Sequence, residues 1–114
     1  MTRVVYVNGR YLPYAHANVH AEDRGFQFAD AVYEVCEVMA GRLVDETRHI
    51  ERLGRSLKEL RIPQPMAAAS LARVMRETIR RNRVADGIVY LQVSRGAGPR
   101  DFLFPAAAVS PTVV

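Results

Sequence analysis

Three groups of residues in this chain have types and spacing suited to gripping a small acid. The run VYEVCEVM, residues 32–39, alternates as a strand, putting Tyr33, Val35 and Glu37 on one face and Val32, Glu34, Cys36 and Val38 on the other. Each face carries a carboxylate. A half-buried strand would keep one face apolar, so a polar pocket or an interface must meet at least one of these. Tyr33 by itself also suits a core position with its hydroxyl at the rim. The second group is His49 and Arg52, three apart and on one helical face, with Arg52 beside the apolar position Leu53. A guanidinium at that border can reach back toward whatever the sheet presents, and it suits two-point capture of phosphate or carboxylate, although surface arginines commonly only lie along apolar neighbours. The third is SRGAGPRDFLFP, residues 94–105, where Arg95 and Arg100 sit on a glycine-rich loop and are both candidates for holding an anion. Its Gly-x-Gly is no dinucleotide fingerprint, because Pro99 follows and no helix opens there to aim amides at a pyrophosphate.

Composition narrows the alternatives. At 114 residues, 49% hydrophobic and 25% charged, the chain suffices for one domain with a modest core. The net charge of +4 invites a nucleic-acid reading. However, the basic residues are interleaved with carboxylates and lack an aromatic RNA-binding signature. Arg80, Arg81 and Arg83 fall at a helix end, where cations meet the negative end of the dipole. No nucleic-acid partner is expected. One cysteine cannot close an intramolecular disulfide, three scattered histidines make no zinc pattern, and Cys36 reads as a buried small hydrophobe. With neither a signal-type leader nor a bilayer-length apolar run, the expectation is a cytoplasmic protein without a membrane partner.

The elements that must position these residues follow from period and punctuation. VVYV, Asn8-Gly9 and RYLP predict a hairpin through a tight primed turn. Residues 14–28 show no period and read as a loop, with Gly25 at a positive φ. The strand at 32–39 turns at Gly41-Arg42 into a short apolar piece at Leu43 and Val44. Ile50, Leu53, Leu57 and Leu60 then recur at helical spacing until Pro63 and Pro65, and a second helix puts Leu71, Val74, Met75, Thr78 and Ile79 on one stripe. Asp86-Gly87 breaks that helix. IVYLQVS, 88–94, returns to strand with Val89, Leu91 and Val93 on one face, and the closing PTVV reads as the start of another strand. The order predicts an α+β domain, an antiparallel-rich sheet with two helices packed on it.

Taken together, EDRGFQFADAVYEV (22–35), RHIERLGRSLKELRI (48–62) and IVYLQVSRGAGPRDFLFP (88–105) resemble the amino-terminal domain of the class IV, or fold-type IV, aminotransferases, and among them the D-amino acid (D-alanine) aminotransferases. The blocks follow in the family's order across nearly the whole chain. The resemblance implies pyridoxal 5'-phosphate as cofactor, an amino acid and a 2-oxo acid as substrates, and a homodimer. It makes Arg52 the arginine that grips the cofactor phosphate. Tyr33 and Val35 become substrate-binding residues, and Arg100 the arginine for the substrate carboxylate, reaching into the neighbouring subunit's site. Where the D-alanine enzymes carry a histidine two residues after that arginine, this chain has Phe102, which removes a donor to the substrate.

The family's Schiff-base lysine lies in a second domain, and Lys58, the only lysine here, falls on the polar side of a helix. Residues 1–114 therefore read as the amino-terminal domain alone, truncated before the lysine-bearing domain and inactive by itself. Branched-chain aminotransferase or aminodeoxychorismate lyase activity on the same fold is the sister reading, and a stand-alone small-anion-binding or dimerisation module the reading from another class.

Overall fold

A computed structural model describes residues 3–105 and 109–114. Strands β1 (Val4–Val7) and β2 (Arg10–Pro13) pair around Asn8 and Gly9, both at positive φ as a primed turn requires. The larger sheet is antiparallel in the order β4-β3-β5-β6, built from β3 (Ala31–Met39), β4 (Arg42–Leu43), β5 (Gly87–Ser94) and β6 (Thr112–Val113). β3 and β5 run side by side from Ala31 opposite Ser94 to Val38 opposite Gly87. β4 covers only Val38 and Met39, so the outer edge of β3 is open beside Tyr33 and Glu34. The turn between β3 and β4 places Ala40 and Gly41 at positive φ, one residue earlier than the sequence suggested.

Helices α2 (Glu46–Glu59) and α3 (Ala68–Asn82) pack on one face of this sheet. Their apolar stripes, Leu53 and Leu57 from α2 with Leu71 and Met75 from α3, meet Val32, Cys36, Leu91 and Val93 from the strands. A Glu46–Arg76 ion pair at 2.6 Å joins the helices, and Asn82 bonds the backbone of Val4 from α3 to the hairpin. Leu60 departs from the expected stripe: α2 ends at Glu59 and Leu60 is exposed, its place in the core taken by Ile62 after Arg61 adopts a left-handed conformation. The opposite face of the sheet is bare. Tyr33, Met39, Ile88 and Tyr90 all lie open there, and the thin dimension of the molecule is 19 Å, two layers only.

The segment 14–28 holds more structure than its missing period suggested. A short helix α1 (Arg24–Phe28) opens at Asp23, whose side chain accepts the Gly25 amide. Gly25 is helical, not at positive φ, and its lack of a side chain has a different reason: a Cβ there would come within 2.8 Å of Ser94 Cβ on β5. Among the described residues, no helix is long and apolar enough to cross a membrane.

Candidate active-site residues on the sheet, its edge and the following loop

Alternation along β3 sorts its side chains as the sequence implies. Val32, Glu34, Cys36 and Val38 point under the helices, while Tyr33 and Val35 stand on the open face. The Tyr33 ring, 62% exposed, stacks on Tyr90 of β5 with centroids 5.7 Å apart, which fixes the direction in which its hydroxyl leaves the sheet. Tyr33 is therefore not core volume.

Glu34 resolves the oddity of a carboxylate on each strand face. It is buried under α2 and satisfied from that helix. Arg52 donates Nε to both carboxylate oxygens, at 3.1 and 2.9 Å, and Nη2 to Oε1 at 2.8 Å, while His49 Nδ1 lies 2.6 Å from Oε1. Burial pushes the Glu34 carboxyl up, but the hydrogen bonds and charges of Arg52 and His49 outweigh it and hold the group below the usual carboxylate range. The shared face of His49 and Arg52 thus has a partner, which the sequence did not identify. Arg52 keeps Nη1 uncommitted, its side chain 57% exposed at the open edge of β3. It borders a groove of about 440 Å³ lined by Asp45, Arg48, His49, Glu51, Arg52 and Arg55. Arg48, Arg52 and Arg55 give that groove guanidinium donors of the kind that grip a phosphate, the Arg52 charge being already matched by Glu34.

Arg95 and Arg100, equal candidates by sequence, separate in the structure. Arg95 is buried and engaged through all three of its guanidinium nitrogens. Its Nε and Nη2 bind Asp30 at 2.7 and 3.1 Å, while Nη1 reaches the carbonyl of Arg61 at 2.9 Å and Nη2 that of Leu60 at 2.7 Å. Sealed in this way it is not displayed to a ligand, so its candidacy is overturned. Arg24 joins the same carboxylate with Nε at 2.8 Å. Two guanidinium groups on one carboxylate, each also hydrogen-bonded to it, hold Asp30 ionised against the cost of burial. Arg100 is exposed, its guanidinium 5.3 Å from the Phe28 ring centroid and 5.0 Å from that of Phe102. No hydrogen bond, ion pair or ring contact among the described residues joins it to Tyr33, Val35 or Arg52. The chain therefore groups Tyr33 and Val35 on one face, ties Arg52 to the adjoining Glu34, and carries Arg100 apart on its loop.

Other features stand aside from this group. The Cys36 thiol is completely buried, and burial, with Glu34 nearby, pushes it up to about 11. Lys58 is exposed on α2. Arg80 and Arg81 are tied to Glu77 at 2.6 and 2.8 Å, as expected of a solvated helix end. A mainly apolar cleft of about 520 Å³ between β1, α3 and β5 contains none of Tyr33, Val35, Arg52 and Arg100.

The family model described as amino-transferase class IV matches residues 31–114. A D-alanine aminotransferase of Staphylococcus haemolyticus is 35% identical over 114 residues, all of this chain and 40% of that protein. A 4-amino-4-deoxychorismate lyase of Pseudomonas aeruginosa superposes with a TM-score of 0.77 at 30% identity, over 95% of this chain and 37% of the other. The branched-chain amino acid aminotransferase of Escherichia coli superposes with a TM-score of 0.89 over 99% of this chain and 40% of the other; at 19% identity it speaks for the fold alone. The chain thus spans about two fifths of the length of the relatives it matches.

Proposed function

This chain belongs to the class IV aminotransferases, and from that premise we propose that the full-length protein moves an amino group from a D-amino acid to a 2-oxo acid, with pyridoxal 5'-phosphate as cofactor, as a cytoplasmic homodimer. Residues 1–114 are its amino-terminal domain, and the lysine-bearing domain lies beyond them. The observation that carries the reading is the pairing of an open-face tyrosine, Tyr33, with an edge arginine, Arg52, whose partner Glu34 is the next residue of the same strand.

The residues present fit the cofactor. Arg52 would hold its phosphate through the uncommitted Nη1, within a groove that Arg48 and Arg55 also line. When bound, pyridoxal phosphate supplies an electron sink that makes the amino acid's Cα proton removable. The role of this chain is to bind and orient. Glu34, itself held by His49, fixes the plane of the Arg52 guanidinium. The Tyr33 hydroxyl, aimed by its stack on Tyr90, meets the substrate acid, and Val35 lines the same wall. Arg100 takes the substrate carboxylate of the neighbouring subunit, which accounts for a guanidinium displayed on an exposed loop with no acidic partner in its own chain among the described residues. No described group is placed to shuttle the Cα proton, so the 114-residue chain by itself is expected to be inactive.

A sister reading on the same fold is aminodeoxychorismate lyase. It is favoured by the 30% identity to the Pseudomonas aeruginosa enzyme and by Phe102, which offers an aromatic ring in place of a polar donor. The test is direct turnover by the full-length protein, offered D-alanine, a branched-chain L-amino acid and aminodeoxychorismate in turn. D-Alanine-dependent amination of 2-oxoglutarate supports the main reading, and release of pyruvate from aminodeoxychorismate replaces it. In the same protein Arg52→Ala should weaken cofactor retention, and Arg100→Ala should mainly raise KM. A natural stop directly after codon 114 would instead support a stand-alone anion-binding or dimerisation module.

A further inference from the structure

The ion cluster formed by Asp30, Arg24 and Arg95 lies outside the candidate site, and all three side chains are nearly sealed, at 7, 4 and 8% exposure. Burying two cations against one anion is costly, and replacing such clusters with apolar residues often leaves stability unchanged or improves it. A demand for stability alone therefore does not account for it. What distinguishes the cluster is where its remaining donors go. Arg95 extends from Asp30 to the carbonyls of Leu60 and Arg61, the end of the helix that carries Arg52. Arg24 extends from Asp30 to the carbonyl of Asp101 at 2.8 Å, the residue after Arg100. Asp30 itself directly precedes β3, the strand of Tyr33, and its carbonyl accepts the Arg95 amide at 3.0 Å.

We propose that Arg24 is a positioning residue for substrate binding: through its hydrogen bond to the Asp101 carbonyl it fixes the Arg100 loop to the strand and helix that bear the other site residues. The loop rests on the cluster in other ways. The Arg95 guanidinium lies 3.9 Å from the Phe104 ring centroid, and Arg24 stacks on Phe28, whose ring meets Phe102 edge-on at 5.8 Å. Phe102 and Phe104 are otherwise largely exposed, and these ring contacts join the stretch to the cluster. A planar guanidinium can serve Asp30 and a carbonyl in two directions at once. A lysine can satisfy the carboxylate but cannot hold both in that geometry.

The kinetic half of the test rests on the role proposed for Arg100, and the exchange half does not. In the full-length protein, Arg24→Lys is expected to speed exchange of the amides of residues 100–104 about tenfold, the loss of one charge-assisted hydrogen bond, with β3 and α2 unchanged. It should raise KM for the amino acid by a similar factor, leaving kcat and cofactor absorbance near wild type. The KM effect should vanish when Arg24→Lys is made on an Arg100→Ala background, because the residue acts through Arg100. Wild-type exchange across the loop in Arg24→Lys would overturn the proposal. So would equal loosening of β3 and α2, which would mark a purely structural cluster. If the loop loosens as expected while Arg100→Ala alone leaves KM unchanged, the positioning holds and the function assigned to Arg100 is what fails.

Discussion

Arg52 holds Glu34 with two of its three guanidinium nitrogens, Nε at 2.9 Å from Oε2 and Nη2 at 2.8 Å from Oε1, and presents the third to solvent. That division of labour separates two variants that a simple charge argument would treat alike. Arg52→Lys keeps the charge but loses the fork, so the ammonium can satisfy Glu34 or a phosphate and not both. In the full-length protein we expect the cofactor to dissociate about 10- to 100-fold more readily, as for loss of a hydrogen bond between charged groups. Glu34→Gln, which touches no ligand in this reading, should show a smaller loss of the same sign because Arg52 is no longer aimed. Equilibrium dialysis against pyridoxal phosphate measures both, and unchanged retention in Arg52→Lys would remove the arginine from the phosphate site.

The same carboxylate makes stability depend on acid in a direction that can be worked out. Glu34 and Asp30 are both held below their ordinary values in the folded state, each by arginine hydrogen bonds that outweigh burial. A depressed folded value means that the folded protein resists protonation more than the unfolded chain does. Their contribution is therefore complete above the unfolded values, about 4.3 for Glu and about 3.9 for Asp. It is lost as pH falls below these through the folded values. Urea midpoints should be flat from pH 7 to about 5 and decline below that, and Glu34→Gln should flatten the decline. A profile that falls as pH rises over the same window would contradict the assignment.

Cys36 is a control for the packing of β3 under the helices. With its thiol pushed up to about 11 and no exposed surface, it should be inert at pH 8. The thiolate fraction alone is roughly 200-fold below that of an ordinary cysteine. Ellman's reagent should label none of it in native protein over minutes and all of it in denaturant. Fast native labelling would mean that α2 lifts from the sheet, and with it Arg52 from Glu34.

How much of this was legible in the residues depends on how local each signal is. Period alone placed β3, β5, α2 and α3, because each buries a regular stripe, and Asn8-Gly9 announced its turn through the positive φ it tolerates. The same alternation put Tyr33 and Val35 on one face. It could not say that Glu34 faces α2, since either face of β3 offered a carboxylate and only tertiary packing chooses between them. α1 escaped notice because five residues make little more than one turn, too short for a stripe to repeat. Its signal was the Asp23 cap, which in sequence looks like any loop aspartate. Arg95 and Arg100 stand five apart on one glycine-rich loop with nothing local to tell them apart; Asp30, 65 residues upstream of Arg95, decides which is buried.

Gly96 gives the sharpest steric prediction, because it joins the loop to the fold. Its φ of +109° already disfavours any side chain, and a Cβ would fall 2.1 Å from the carbonyl oxygen of Ser110, a backbone atom, and 2.9 Å from Val109 Cγ1. The Gly96 carbonyl also accepts the Arg24 amide at 2.9 Å, so a shift here is passed to the residue that holds Asp101. Gly9 is the comparison: its φ is +91°, but nothing lies within 4 Å of its would-be Cβ. Gly9→Ala should therefore cost only the backbone term, about 1–2 kcal/mol. Gly96→Ala adds an overpacking cost of about 1–3 kcal/mol and should also quicken amide exchange in the Arg100 loop. Urea denaturation of the two variants gives the comparison. Equal losses would mean that Ser110 moves aside freely, and that the loop is not anchored at Gly96.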